Sequence, residues 1–108
     1  MSQSTLPPHE CAVLFADLVG STQLYQRVGD KSAFEVVDKS IRAMRIAVET
    51  KGGRVVKHTG GGLMAVFRDS DAAADATLAI HQTIKELPAA PEQRLAVRIG
   101  FHFGHAMA

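Results

Sequence analysis

Apolar and polar positions along this 108-residue chain fall into patterns that predict four strands and three helices. Cys11-Ala12-Val13-Leu14-Phe15-Ala16 is a nearly unbroken apolar run, as expected of a central strand covered on one face and partly on the other. Asp17 stands at its carboxyl end. Gly20-Ser21-Thr22 supplies a turn and an N-cap, and residues 22–28 form a short helix closed by Gly29. A second helix is predicted over 31–51, because Phe34, Val37, Ile41, Met44 and Val48 recur at steps of three and four and form a core stripe. Residues 54–59 and 63–67 are β-prone runs separated by Gly60-Gly61-Gly62, a hairpin signature. Ser70 or Asp71 caps a third helix reaching about residue 87, with Ala73, Ala76, Ile80 and Ile84 or Leu87 at helical spacing and Pro88 and Pro91 beyond it. The last run alternates. Leu95, Val97, Ile99, Phe101 and Phe103 point one way and Arg94, Arg98 and His102 the other, predicting a strand with one packed face.

The order strand, two helices, hairpin, helix, strand predicts an α+β fold, a ferredoxin-like βαββαβ core in which helices cover one face of an antiparallel sheet. The final strand then lies at an edge of that sheet. Residues 1–10 are polar and carry Pro7-Pro8, which disfavours helix, so they read as a flexible lead-in to a domain over 11–108.

Composition narrows the function classes. Apolar residues make up 46% and charged residues 21%, the balance of a globular domain. Twelve basic and eleven acidic residues are interspersed, giving a net charge of +1 and no basic stripe, so nucleic acid is not an expected partner. The lone Cys11 cannot form an internal disulfide, and no run is long and apolar enough to span a membrane. A soluble, cytoplasmic protein is expected.

The candidate chemistry sits in two segments. A carboxylate leaving a strand just before a helix N-terminus, as Asp17 does ahead of residues 19–22, suits a metal ion bridging phosphates that lie on that helix end. The same residues are also ordinary turn and cap chemistry. Three glycines in a hairpin most often mean positive φ or close backbone approach, and Lys57 on the strand before them is by default a solvated lysine. His58 and His102 have no cysteine or histidine at zinc-ligand spacing and read as solvated or locally hydrogen-bonded.

Taken together, these segments resemble the class III adenylyl/guanylyl cyclase catalytic domain over residues 11–104. The resemblance is carried by Phe-x-Asp-x-x-Gly-Ser-Thr ending at Thr22 and by Gly-Gly-Arg-Val-Val-Lys ending at Lys57. It continues through the glycine turn with Leu63-Met64-Ala65-Val66-Phe67, the alanine-rich helix that follows, and Arg98-Ile99-Gly100-x-His102-x-Gly104. It implies that Asp17 and the backbone carbonyl of Leu18 bind metal, that Val19, Gly20, Ser21 and Thr22 cradle phosphate, and that Lys57 contacts adenine where guanylyl cyclases typically carry glutamate. ATP is the implied nucleotide. Two Mg²⁺ or Mn²⁺ ions would assist attack of the ribose 3′-hydroxyl on the α-phosphate, giving 3′,5′-cyclic AMP and pyrophosphate.

Two departures from the family pattern bear on activity. Gly61 stands where the family carries its second metal-binding aspartate, and Asp69 and Asp71 follow only at the far end of the next strand. The family's second base-reading residue and its transition-state asparagine and arginine fall beyond Ala108, so no catalytic residue is assigned within the chain. The resemblance thus implies an adenylate cyclase-like domain with a weakened two-ion site and impaired turnover. Its alternative is an inactive cyclase-homology module for nucleotide binding or protein association. Family members are antiparallel dimers with shared sites, so a homodimer is expected, or an oligomer that exchanges strands through the edge-lying final strand.

Overall fold

The computed structural model describes residues 9–88 and 95–106. The elements are β1 (His9–Val19), α1 (Ser21–Val28), α2 (Asp30–Thr50), β2 (Arg54–His58), β3 (Gly62–Phe67), α3 (Ser70–Glu86) and β4 (Ala96–Ala106). The four strands form one sheet in the order β2-β3-β1-β4, and every neighbouring pair is antiparallel. This is the α+β, helix-on-one-face arrangement that the element order predicts.

The core grows from the parity of β1. Ala12, Leu14, Ala16 and Leu18 are buried, while Phe15, Asp17 and Val19 of the alternate positions are exposed. Leu14, Leu24, Met44, Val48 and Ile80, the largest fully buried side chains, join β1 to all three helices in one cluster. Burial of such a side chain contributes about 1.5–3 kcal/mol, so this layer carries most of the stability. Among the described residues no helix covers the opposite face of the sheet.

Four local expectations change. β1 begins at His9 rather than at Cys11. The buried stripe of α2 is Ala33, Val37, Ser40, Met44, Ala47 and Val48, whereas Phe34 is 60% exposed. Small side chains at 33 and 47 let the helix approach its neighbours closely, and Ser40 sits in the stripe because its hydroxyl donates to the Val36 carbonyl at 2.8 Å. The cap of α3 is Asp69, not Ser70 or Asp71: its carboxylate accepts from the Ala72 N–H at 2.8 Å from an extended backbone. Leu95, just ahead of β4, and Val97 and Ile99 on it pack against the core, but Phe101 and Phe103 are 49% and 46% exposed although their register partners Leu14 and Ala12 are fully buried. β4 is an outer strand with a neighbour on one side only, so its aromatic end overhangs the layer that covers β1. Arg94 lies outside the described residues.

Candidate functional site

The uncovered face collects the charged residues of three strands. Asp17 points away from the core near the end of β1, with Gly62 of β3 as its register partner on one side and Arg98 of β4 on the other. Antiparallel register partners share a face, so Arg98 and Asp17 stand on the open side, one strand apart. Both are exposed. Around them the face is apolar, with Phe15 and Val19 exposed and Val13, Met64 and Val66 half-buried.

Lys57 reaches this face through an irregularity. Arg54 pairs with Val66 and Val55 with Ala65, but the next pairs are Lys57 with Met64 and His58 with Leu63, so Val56 is set aside in a β-bulge. Strict alternation would place Lys57 on the helix side with Val55; the extra residue re-aims it to the open side with Met64 and Phe15. The same shift turns His58 toward α2, where its Nε2 lies 3.2 Å from Arg45 Nη1, a local hydrogen bond as expected. His102 is exposed on β4 beside Val13.

At the end of β1 the chain turns sharply into α1. Gly20 is the N-cap, with φ 90°, a left-handed conformation that suits glycine. Of Gly20-Ser21-Thr22, expected to supply the turn and the N-cap, the glycine is the one that caps: no side chain caps α1, and Ser21 and Thr22 lie inside its first turn. The Leu24 N–H bonds the Gly20 carbonyl, whereas helix geometry leaves the amides before it without intrahelical acceptors. The first turn carries no acidic side chain, so these donors and the helix dipole favour an anion.

The glycine turn is tied to this corner. The Leu18 N–H donates to the Gly61 carbonyl at 2.8 Å and the Thr59 N–H to the Gly62 carbonyl at 2.9 Å. The structure thereby brings Asp17, Leu18, Val19, Gly20, Ser21, Thr22 and Gly61 together, with Lys57 on the same sheet face but farther along it. A pair of divalent ions, as the resemblance implies, meets one side-chain carboxylate here. Among the described residues no three acidic, histidine or cysteine side chains converge to hold a metal, so the residues present do not fit two ions. Arg98 is the residue that sequence reasoning left unassigned. Its polar-face position was visible in the alternation of the last strand, but only the β1–β4 register sets it beside Asp17.

The chain matches the family model described as the adenylate and guanylate cyclase catalytic domain over residues 5–108. An adenylate cyclase of Streptomyces coelicolor is 33% identical over 89 residues, which cover 82% of this chain and 23% of that protein. The structure of a bacterial light-regulated adenylyl cyclase superposes with a TM-score of 0.80 at 24% identity, covering 97% of this chain and 34% of that one. The guanylate cyclase domain of RhGC from Catenaria anguillulae, solved with GTP, gives a TM-score of 0.78 at 21% identity over 90% of this chain and 57% of that one. The chain thus spans about a quarter of the curated relative that it matches. Among the described residues no helix is long and apolar enough to cross a membrane. The family match over nearly the whole chain, together with the sheet order and the turn clamped to the end of β1, establishes that this chain belongs to the adenylate and guanylate cyclase catalytic domain family.

Proposed function

We propose that the open face of this sheet is one half of a class III cyclase nucleotide site, that its nucleotide is ATP, and that turnover is impaired in this chain. The observation that carries the reading is the convergence on one uncovered face of Asp17, its cross-strand neighbour Arg98 and the bulge-directed Lys57, with the uncapped start of α1 at the corner. That set supplies a carboxylate, a cation for phosphate, a donor for a base edge and backbone amides for phosphate oxygens. Divalent metal is a general property of cyclase chemistry, and Asp17 with the Leu18 carbonyl would hold an ion that accompanies the triphosphate.

The exposed apolar ground of the same face, Phe15 and Val19 foremost, supports a second copy docking face to face. In that homodimer the Lys57 of one protomer reads the base of a nucleotide whose phosphates lie against the other protomer's Asp17 corner. The reaction is ring closure, in which a bond forms between the ribose 3′-oxygen and the α-phosphorus as the bond to pyrophosphate breaks. Turnover is expected to be low because one carboxylate of the family site is a glycine. The cytoplasm, where the free thiol of Cys11 stays reduced, is the proposed location.

Binding and turnover are measured separately to test this. A fluorescent ATP analogue should bind, and Lys57→Glu should weaken it about tenfold or more, since a hydrogen bond to a charged group contributes about 1.5–3 kcal/mol. Cyclic AMP formation should stay near background with Mg²⁺ and Mn²⁺. Fast turnover would overturn the impairment, and ATP affinity indifferent to Lys57→Glu would overturn the assignment of the base-reading side chain.

A further inference from the structure

We infer that Gly61 sets the metal stoichiometry of this site at one ion, on a backbone still shaped to carry a second carboxylate. The inference rests on the reading of the open face as a nucleotide site, and it concerns why three consecutive glycines occupy the turn.

The three are not equivalent. A Cβ on Gly62 would overlap the Ala16 carbonyl oxygen and Asp17 Oδ1 and lie 3.1 Å from Asp17 Cα, so residue 62 must be glycine for the Asp17 carboxylate to lean over it. A Cβ on Gly60 meets nothing within 4 Å. A Cβ on Gly61 meets only Ser21 Oγ, at 3.5 Å, an ordinary van der Waals contact. Positive φ does not demand glycine here either, since among the described residues only Gly20, Gly29 and Gly52 have it. Residue 62 is glycine by steric necessity, and residue 61 is not.

Position 61 is also held where a side chain would matter. Its carbonyl accepts the Leu18 N–H at 2.8 Å, so a side chain leaving Cα61 emerges beside Ser21 at the corner that holds Asp17. Among the described residues no other acid substitutes for the missing one. Asp69 and Asp71 follow Phe67, which pairs with Ala12, whereas Gly62 pairs with Asp17, a separation of five register pairs or about 17 Å along the strand. Hard divalent cations are held by several oxygens, so one carboxylate, a carbonyl, water and phosphate suffice for one ion but leave a second without a protein anion.

The test counts ions. Wild type, Gly61→Asp and Gly61→Asn are titrated with Mn²⁺ in the presence of a non-hydrolysable ATP analogue, and bound Mn²⁺ is read by electron paramagnetic resonance. Wild type and Gly61→Asn should bind one Mn²⁺ per nucleotide. Gly61→Asp should bind two, with the second ion gained at least tenfold more tightly than in Gly61→Asn. All three should keep the same circular dichroism spectrum, because the turn accepts a side chain. Two ions in wild type, or one in Gly61→Asp while nucleotide still binds, would overturn the inference and leave the nucleotide site standing. Unfolding of Gly61→Asp together with Gly61→Asn would overturn the steric half of it. Absence of nucleotide binding in every variant would overturn the site itself.

Discussion

The two faces of β1 lie in opposite environments. Ala12, Leu14, Ala16 and Leu18 disappear under the helices, while the alternate positions include Phe15 and Val19, 46% and 45% exposed, and the carboxylate of Asp17. Covered positions are explained by folding alone, since removing them from water is what drives collapse. Open positions are not. A sheet face that keeps large apolar groups and three strands' worth of charges in water contributes little to the monomer's stability, which is why the proposed function reads it as a docking surface.

Substitutions on the two faces should separate by size of effect. Leu14→Ala, which opens a cavity at a fully buried position, is expected to cost about 2–5 kcal/mol in urea unfolding. A loss below 1 kcal/mol would mean that the covered face is looser than its burial suggests. Asp69→Ala removes the only side-chain cap seen at the described helix starts and should cost about 1 kcal/mol by the same measurement. Phe15→Ser, one residue from Leu14 but on the other face, should leave stability within about 0.5 kcal/mol of wild type while abolishing self-association on a sizing column with light scattering. Equal stability losses at Leu14 and Phe15 would erase the distinction between the faces.

Much of this was legible in the sequence. Element order and the hairpin follow from apolar periodicity and glycine placement, which are local features, and the edge position of the last strand follows from the βαββαβ topology that this order implies. The misreadings share a different origin. Phe34 reads as core by size and spacing, yet the packed stripe is built on Ala33 and Ser40, whose burial depends on how closely α2 approaches its neighbours. Phe101 and Phe103 alternate with polar residues as a packed strand should, but what covers a strand is decided by layers distant in sequence. At the candidate site the individual residues were visible. The assembly was not: the pairing of Arg98 with Asp17 belongs to register, and the side on which Lys57 emerges belongs to a bulge, which no residue pattern announced.

That bulge has a consequence for how relatives of this chain are aligned. Residues 54 and 55 and residues 57 and 58 each obey ordinary alternation, and Val56 is the spacer between two phases of the same strand. Deleting Val56 would merge the phases without turning Lys57 or His58 to the other side. A relative one residue shorter at this point keeps its lysine facing the same way, whereas a relative of equal length that pairs without the bulge presents its lysine to the helices. In this strand a single gap in an alignment is neutral to the chemistry, and an ungapped match does not by itself guarantee it.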